Sequence, residues 1–402
     1  MELTARNIIK GDRIIWTVLL LLSLLSLLII YSSTGALSYR MAGGVTWHYL
    51  VRQAGFLFIG FCIILVMVHI IPVKIYSMAA LILVYASIGF LGLAVFLKLT
   101  GHAGDSSGRT LDLGFISFQP AELAKIALIM FTARVLGKNQ KTKEELSKAF
   151  KRIIFFSVII CALIFISDFS TAALLFLTIM SMMFVGRIPY KYLLLVIASG
   201  LLALAVIYFT TDYLPDRYTR VKTIKGRIER FIFGDPSSEM GITQADYASL
   251  AIYEGGLIGK GPGHSDVSNY MAAAYNDFIF AIIVEEYGLI FGGIIILLYM
   301  IFFFRSVIIM RRATRTFPAF LVAGLTLVLV FQAMINIGVS SGVLPVTGQP
   351  LPWVSMGGTS LLFTSVAFGC ILSVSYQNQK DKSIGGQQPV QVNAPDEDIS
   401  MQ

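Results

Sequence analysis

Ten long apolar runs separated by shorter polar stretches organise the chain, at 14–31, 50–71, 75–97, 120–136, 153–167, 170–186, 192–211, 277–304, 317–338 and 358–376. About 20 apolar residues rising 1.5 Å each cross the hydrocarbon core of a bilayer, so each run predicts a spanning helix. The pattern predicts an all-α polytopic membrane protein with about ten transmembrane helices. Ser32-Ser33-Thr34-Gly35-Ala36 after the first run could suggest a cleaved leader. Because further spans follow at once and the run is itself long enough to cross, it is expected to stay in the membrane.

Composition agrees with the pattern. Of 402 residues, 56% are hydrophobic and 13% charged, against about 25% charged in soluble domains, which excludes a water-soluble enzyme. The net charge of +8 has to be read by position, since short cytoplasmic loops collect Lys and Arg. Arg6, Lys10 and Arg13 precede the first span, a basic run from Arg134 to Arg152 lies between spans four and five, and Arg305, Arg311, Arg312 and Arg315 lie between spans eight and nine. Ten spans put all three on one face, so both termini are expected in the cytoplasm and the protein in the bacterial cytoplasmic (inner) membrane. The polar tail 377–402, ending in Asp396-Glu397-Asp398, reads as disordered, leaving one membrane domain over 1–376. The opposite, outer face carries connections 98–119, 212–276 and 339–357, and the large extracytoplasmic loop 212–276, between helices 7 and 8, is too long for a plain connector. Cys62, Cys161 and Cys370 lie inside apolar runs and the four histidines are scattered, so neither a disulfide framework nor a zinc spacing is present. No internal repeat or matched pair of broken helices points to an alternating-access transporter.

Ionisable residues at membrane depth need a partner or a watery cavity. Glu122 and Lys125, three apart on one helical face, read either as an ion pair stapling the bundle or as a charged cavity wall. Asn276-Asp277 opens span eight, where Asp277 could cap the helix or face a site; Glu285-Glu286 lies about 12 Å deeper, Glu285 as a partner for Lys125 or another buried base. Gln332 and Asn336, four apart, form a polar stripe of the kind that joins helices. In the large loop, Arg217 to Arg230, including Arg227 and Arg230, reads either as an interfacial amphipathic helix or as a phosphate-binding surface, because guanidinium forks suit phosphate oxygens. Gly255 to Gly263 resembles a P-loop but has Glu254 where Gly is needed and Gly261 after the lysine, so a nucleotide site is rejected. What remains is a turn where amides and Lys260 approach an anion, or an irregular re-entrant loop. Pro345, Pro350 and Pro352 with several glycines predict a rigid, kinked lid or wall in the last connection.

Several of these segments together resemble the SEDS family of shape, elongation, division and sporulation proteins, with the division branch closest. Phe118-Gln119-Pro120-Ala121-Glu122-Leu123-Ala124-Lys125 is similar to the family's FQPSE-x-x-K, and Ser167-Asp168-Phe169-Ser170-Thr171-Ala172 to its PD-x-GTA. Gly255-Gly256-Leu257-Ile258-Gly259-Lys260-Gly261 is similar to GGL-x-GKG, and Asn276-Asp277-Phe278-Ile279-Phe280 with Glu285-Glu286-Tyr287-Gly288 to TDFIF-x-x-x-x-EE-x-G. Asn336-Ile337-Gly338, Leu344-Pro345-Val346-Thr347-Gly348 and Ser355-Met356-Gly357-Gly358-Thr359-Ser360 resemble its final loop. Of the family's GARRW segment only Arg109 carries over.

The resemblance implies a peptidoglycan glycosyltransferase that polymerises lipid II, working with a class B penicillin-binding transpeptidase and other divisome proteins during septal wall synthesis. It brings membrane lipid as an environment and no nucleic acid. The family's essential aspartate falls on Asp277, expected to be the general base of an inverting transfer, and its charged pair on Glu122 and Lys125. Arg109, Arg227, Arg230, Lys260 and Asn336 are the further expected substrate contacts. No cofactor is certain, a divalent cation (Mg²⁺ or Mn²⁺) being left open. A lipid II flippase and a non-catalytic scaffold for the transpeptidase are the competing readings.

Overall fold

The computed structural model describes residues 10–33, 47–100, 109–112, 117–211, 225–226, 229, 244–267, 270 and 274–385. Every apolar run lies largely within a helix: α1 (Arg13–Ser33), α2 (Trp47–His69), α3 (Val73–Leu99), α4 (Pro120–Lys138), α5 (Lys143–Phe165), α6 (Phe169–Val185), α7 (Tyr190–Thr210), α10 (Ile279–Arg311), α11 (Thr316–Ser340) and α12 (Gly358–Gly385). Between α7 and α10 lie α8 (Gln244–Gly255) and the single turn α9 (Ala274–Asp277). Among the described residues, seven helices, α1 to α3, α7 and α10 to α12, are long and apolar enough to cross a membrane. The other three are limited by composition or length. Helix α4 carries Glu122, Lys125, Arg134 and Lys138, α5 opens on Lys143-Glu144-Glu145, and α6 has 17 residues.

Helix α4 is the centre of the bundle. It is surrounded by α3, α5, α6, α11 and α12, and 15 of its 19 residues are buried. Ala121, Ala124, Ala127 and Ala133 allow its neighbours close, the small-residue packing that replaces the hydrophobic drive inside a membrane. That position buries Glu122 and Lys125 among the neighbouring helices. Helix α7, by contrast, exposes Leu194, Leu195, Leu201 and Leu202, as a helix facing acyl chains does.

Three features go beyond what the apolar runs predict. The connection 98–119 contains a short antiparallel hairpin, β1 (Leu111–Asp112) with β2 (Ser117–Phe118), Leu111 opposite Phe118; two-residue strands leave no periodicity to read. The boundary at 376 is too early. Helix α12 runs on to Gly385, and Asn378 and Gln379 tie it to the Ile309 and Gly11 carbonyls at 3.0 Å each. Finally, the eighth run is not one continuous helix from 277. Helix α10 begins at Ile279 and is broken at Gly288, whose φ of 83° and ψ of 172° suit glycine alone.

Candidate functional site

Asp277 and Glu122 line one cavity of about 340 Å³, shared with Arg109, Asp168, Gln349 and Ser360. Four helices begin around it. Helix α4 follows Gln119 with Pro120 at its first position, α6 follows Asp168, α10 follows Phe278, and α12 opens on Gly358. The first N–H groups of a helix lack intrahelical partners and its dipole is positive there, so converging starts favour an anion. Gln119 and Phe278 make no side-chain cap bond, which leaves the starts of α4 and α10 uncapped by them. At α6, Asp168 Oδ1 accepts from the amides of Ser170 (3.1 Å) and Thr171 (3.2 Å). Its Oδ2 faces Arg109 Nε at 3.8 Å, and Arg109 also donates to the Ser167 carbonyl at 3.4 Å. Arg109 is thereby steered to the cavity wall by the start of α6.

Asp277 closes the turn α9 and is partly exposed to the cavity. The residue at the cap of α10 is Phe278, so Asp277 does not hold the capping position that spacing alone favoured. Its surroundings are fixed from behind. Asn336 Nδ2, fully buried, donates to the carbonyls of Asp277 (2.9 Å) and Gln349 (2.8 Å). Gln349 Nε2 donates to Thr171 Oγ1 at 2.8 Å, and Ser355 Oγ to the Asn276 carbonyl at 2.8 Å. Gly348, at φ 71°, passes so near that a Cβ there would lie 3.4 Å from Asp277 Oδ2.

The segment 349–355 forms a wall of the cavity, anchored to α1 and α10 by hydrogen bonds. Trp353, buried and at φ 70°, donates from Nε1 to Ser23 Oγ at 2.7 Å; Ser26 Oγ donates to the Val354 carbonyl at 2.8 Å; Tyr299 donates to the Pro352 carbonyl. Gln332 does join helices: its Oε1 accepts from Lys125 Nζ at 3.3 Å and its Nε2 donates to the Pro350 carbonyl at 3.0 Å. Lys125 also pairs with Glu122 at 2.8 Å, both side chains almost fully buried. Glu122 faces the cavity, and Lys125 holds it from below.

Not all expected site residues assemble here. Arg227 and Arg230 lie outside the described residues. Asn336 reaches backbone carbonyls rather than the cavity surface. Lys260 stands elsewhere: it pairs with Glu254, with Asp266 at 3.0 Å and with Glu285 at 3.2 Å. Its bond to Glu254 above all, with those to Asp266 and Glu285, holds the ammonium's pKa above the ordinary lysine value against the opposing effect of desolvation. Glu285 therefore has Lys260 as its base, not Lys125.

Oxygens of Glu254, Asp266 and Glu285 lie within 4.8 Å of one another, near enough to hold a divalent ion. The ammonium of Lys260 already bonds all three, so the cluster does not fit a metal while the lysine stays.

The segment 255–261 is a splint, not an anion cradle. Breaking α10 at Gly288 would strand backbone groups inside the protein. The amides of Lys260 and Gly261 donate to the Glu285 and Glu286 carbonyls, both at 2.9 Å, while the amides of Leu289 and Ile290 donate to Gly256 (2.9 Å) and Leu257 (3.3 Å). The fit is too close for side chains. A Cβ on Gly255 would overlap the Val284 carbonyl, one on Gly259 that of Glu286, and one on Gly288 that of Leu257.

Asp168, Gln349 and the Gly357 to Ser360 start of α12 line the cavity without having been singled out as site residues. Their signal was present in the motifs they belong to, but their convergence depends on which helices start side by side.

Fold and site together define a multi-pass, all-α membrane protein with a polar cavity ringed by helix starts. Residues 12–380 match the cell cycle protein family of FtsW, RodA and SpoVE, and the chain belongs to that family. It is 32% identical over 375 residues to a probable peptidoglycan glycosyltransferase FtsW of Coxiella burnetii, covering 90% of this chain and 96% of that one. It is 29% identical over 374 residues to the peptidoglycan glycosyltransferase MrdB of Escherichia coli K12, covering 91% and 95%. Its fold matches RodA of Thermus thermophilus with a TM-score of 0.63 at 21% identity, over 92% of this chain and 99% of that one. It also matches a chain of a peptidoglycan synthase complex with a TM-score of 0.69 at 21% identity, again over 92% and 99%.

Proposed function

We propose that this protein is a peptidoglycan glycosyltransferase that polymerises lipid II at the outer face of the bacterial cytoplasmic membrane during septal wall synthesis, its termini in the cytoplasm. The observation that carries the reading is the cavity itself, where a carboxylate, a guanidinium and several helix starts meet. A lipid-linked sugar diphosphate presents matching chemistry: a hydroxyl to be deprotonated, an anomeric carbon to be attacked and an anionic leaving group.

In this reading Asp277 takes the proton of the acceptor's 4-hydroxyl as that oxygen bonds the donor's anomeric carbon. The anomeric carbon–phosphate oxygen bond breaks on the opposite side, inverting the centre, and the diphosphate departs with the bonding pair. Arg109 and the amides opening α12 would receive its charge. Glu122, held by Lys125, would orient sugar hydroxyls. Where a divalent cation accompanies the diphosphate, Asp277 on the cavity wall would help to hold it, and the ion would neutralise the charge of the leaving group. The partner would be a class B penicillin-binding transpeptidase that crosslinks the emerging strand.

Purified protein reconstituted with labelled lipid II, with and without such a transpeptidase, tests the proposal. Wild type should yield glycan strands and Asp277→Asn should yield none while inserting and folding normally. Strands at near-normal yield from that variant would overturn the assignment. Movement of lipid II between leaflets without polymer would mark a flippase instead.

A further inference from the structure

The surroundings of α10 change at its break. Every residue from Ile279 to Glu286 is buried, whereas beyond Gly288 the side chains of Leu289, Ile290, Ile294, Leu297, Met300 and Phe304 form an exposed apolar stripe at helical spacing, the face a span turns to acyl chains. The exposed residues of α8 change in kind as that helix nears the break. At its start they are Gln244, Asp246 and Ser249; further on they are Leu250 and Tyr253, and the turn after it adds Leu257 and Ile258. Tyr253 and Ile258 are 84% and 82% exposed. Past this tip the chain is polar again at Lys260, His264 and Asp266.

Hydrogen bonds fix the height of the tip on α10. Because the amides of Leu289 and Ile290 donate to the carbonyls of Gly256 and Leu257, the exposed pairs Leu257-Ile258 and Leu289-Ile290 sit side by side. Arg311 and Arg312 mark the basic end of the span. Ile290 lies 21 residues from Arg311, a rise of about 32 Å along the axis and less across a bilayer if the helix tilts. The hydrocarbon core is about 30 Å thick, so the tip reaches its opposite boundary. Irregular backbone at that depth has to be paired within the protein. Here it is: besides the two carbonyls, the amides of Gly259, Lys260 and Gly261 donate to the carbonyls of Gly255, Glu285 and Glu286. The charges beside the tip are also matched, Lys260 bonding Glu254.

We propose that 250–258 is a re-entrant element, with Leu257 and Ile258 among the acyl chains of the leaflet on the cavity's side and Tyr253 at the headgroup boundary above them. The patch is continuous with the lipid-facing stripe of α10, and its partner is therefore the same. Tyrosine is the residue expected where an apolar surface meets the interface.

Nitroxide labels on single cysteines test this in the full-length protein, with Cys62, Cys161 and Cys370 replaced by alanine and the protein reconstituted in liposomes of phosphatidylglycerol and phosphatidylcholine. Collisions with oxygen, which partitions into lipid, are compared with collisions with a nickel chelate, which stays in water. The four labelled positions are all exposed, so the label displaces no packed side chain. Ile258→Cys should favour oxygen, as Ile294→Cys on the stripe does, His264→Cys should favour nickel, and Tyr253→Cys should fall between Ile258→Cys and His264→Cys. A nickel preference at Ile258→Cys would make the turn an aqueous loop and overturn the proposal. Shielding of that label from both reagents, while oxygen reaches Ile294→Cys, would mean that protein covers the tip and would overturn it as well, as would a label at Tyr253→Cys lying deeper than one at Ile258→Cys.

Discussion

Glu122 and Lys125 pose at residue scale the question their spacing raised, whether a buried pair serves folding or substrate. Both are buried and paired at 2.8 Å, yet Glu122 lines the cavity. Removing one member of a buried pair strands the other charge, at a cost of about 3–5 kcal/mol, whereas replacing both by neutral groups is often close to neutral. Lys125→Met should therefore lower thermal stability strongly, and the double variant E122Q/K125M should recover most of it. Polymerisation should stay low in the double variant if Glu122 contacts the sugar; recovery of stability and synthesis together would assign the pair to folding alone. Asn336 separates differently. Its loss orphans the carbonyls of Asp277 and Gln349 and lets the aspartate drift, and a displacement of about 1 Å can cost about 100-fold in rate. Asn336→Ala should lower kcat by about that factor with KM little changed, read in steady-state kinetics on labelled lipid II. A change in KM alone would mean that Asn336 touches substrate directly, as the sequence suggested.

Among the elements, apolarity revealed the long helices because a membrane helix needs little beyond a sustained apolar run. It could not reveal the break at Gly288, since a glycine inside such a run hardly alters the hydropathy that defines it. Nor could it show that Gly255, Gly259 and Gly288 belong together: the close approach of two backbones is a contact between segments about 30 residues apart. The motif Gly255 to Gly261 invites an anion-binding interpretation for the same reason P-loops are glycine-rich, namely that backbone comes close to something. Here that something is the interrupted helix.

Gly288→Ala meets both a backbone region reserved for glycine and an overlap with the Leu257 carbonyl. It should destabilise the protein by at least about 3 kcal/mol. Hydrogen exchange gives the specific signature: the amides of Lys260, Gly261, Leu289 and Ile290 should be protected like helix interior in wild type and lose protection in the variant. Unchanged protection there would show that the splint is not what closes the break.

For the whole molecule, the chemistry of the cavity was partly legible. Glu122 is conspicuous as an ionisable group at membrane depth, whereas Asp277 and Arg109 emerge as site residues only through the family motifs they belong to, spacing alone favouring a helix cap at Asp277. Asp168, Gln349 and the amides of α12 become site residues only once α4, α6, α10 and α12 start side by side, which no single segment encodes. The same arrangement sets the polarity of the molecule. The cavity lies at the starts of α10 and α12, whereas the basic ends of α6 and α10 lie at the other pole with Arg187, Arg311 and Arg312. Basic residues beside spans stay on the cytoplasmic side, so the cavity should open outward. Cysteine labelling decides this directly. In a background with Cys62, Cys161 and Cys370 replaced by alanine, His264→Cys, exposed just past the splint, should react with a membrane-impermeant maleimide in intact spheroplasts. Thr314→Cys, exposed between α10 and α11, should react only after permeabilisation. The reverse pattern would place the cavity in the cytoplasm, where a polymerase building an external wall has no use for it.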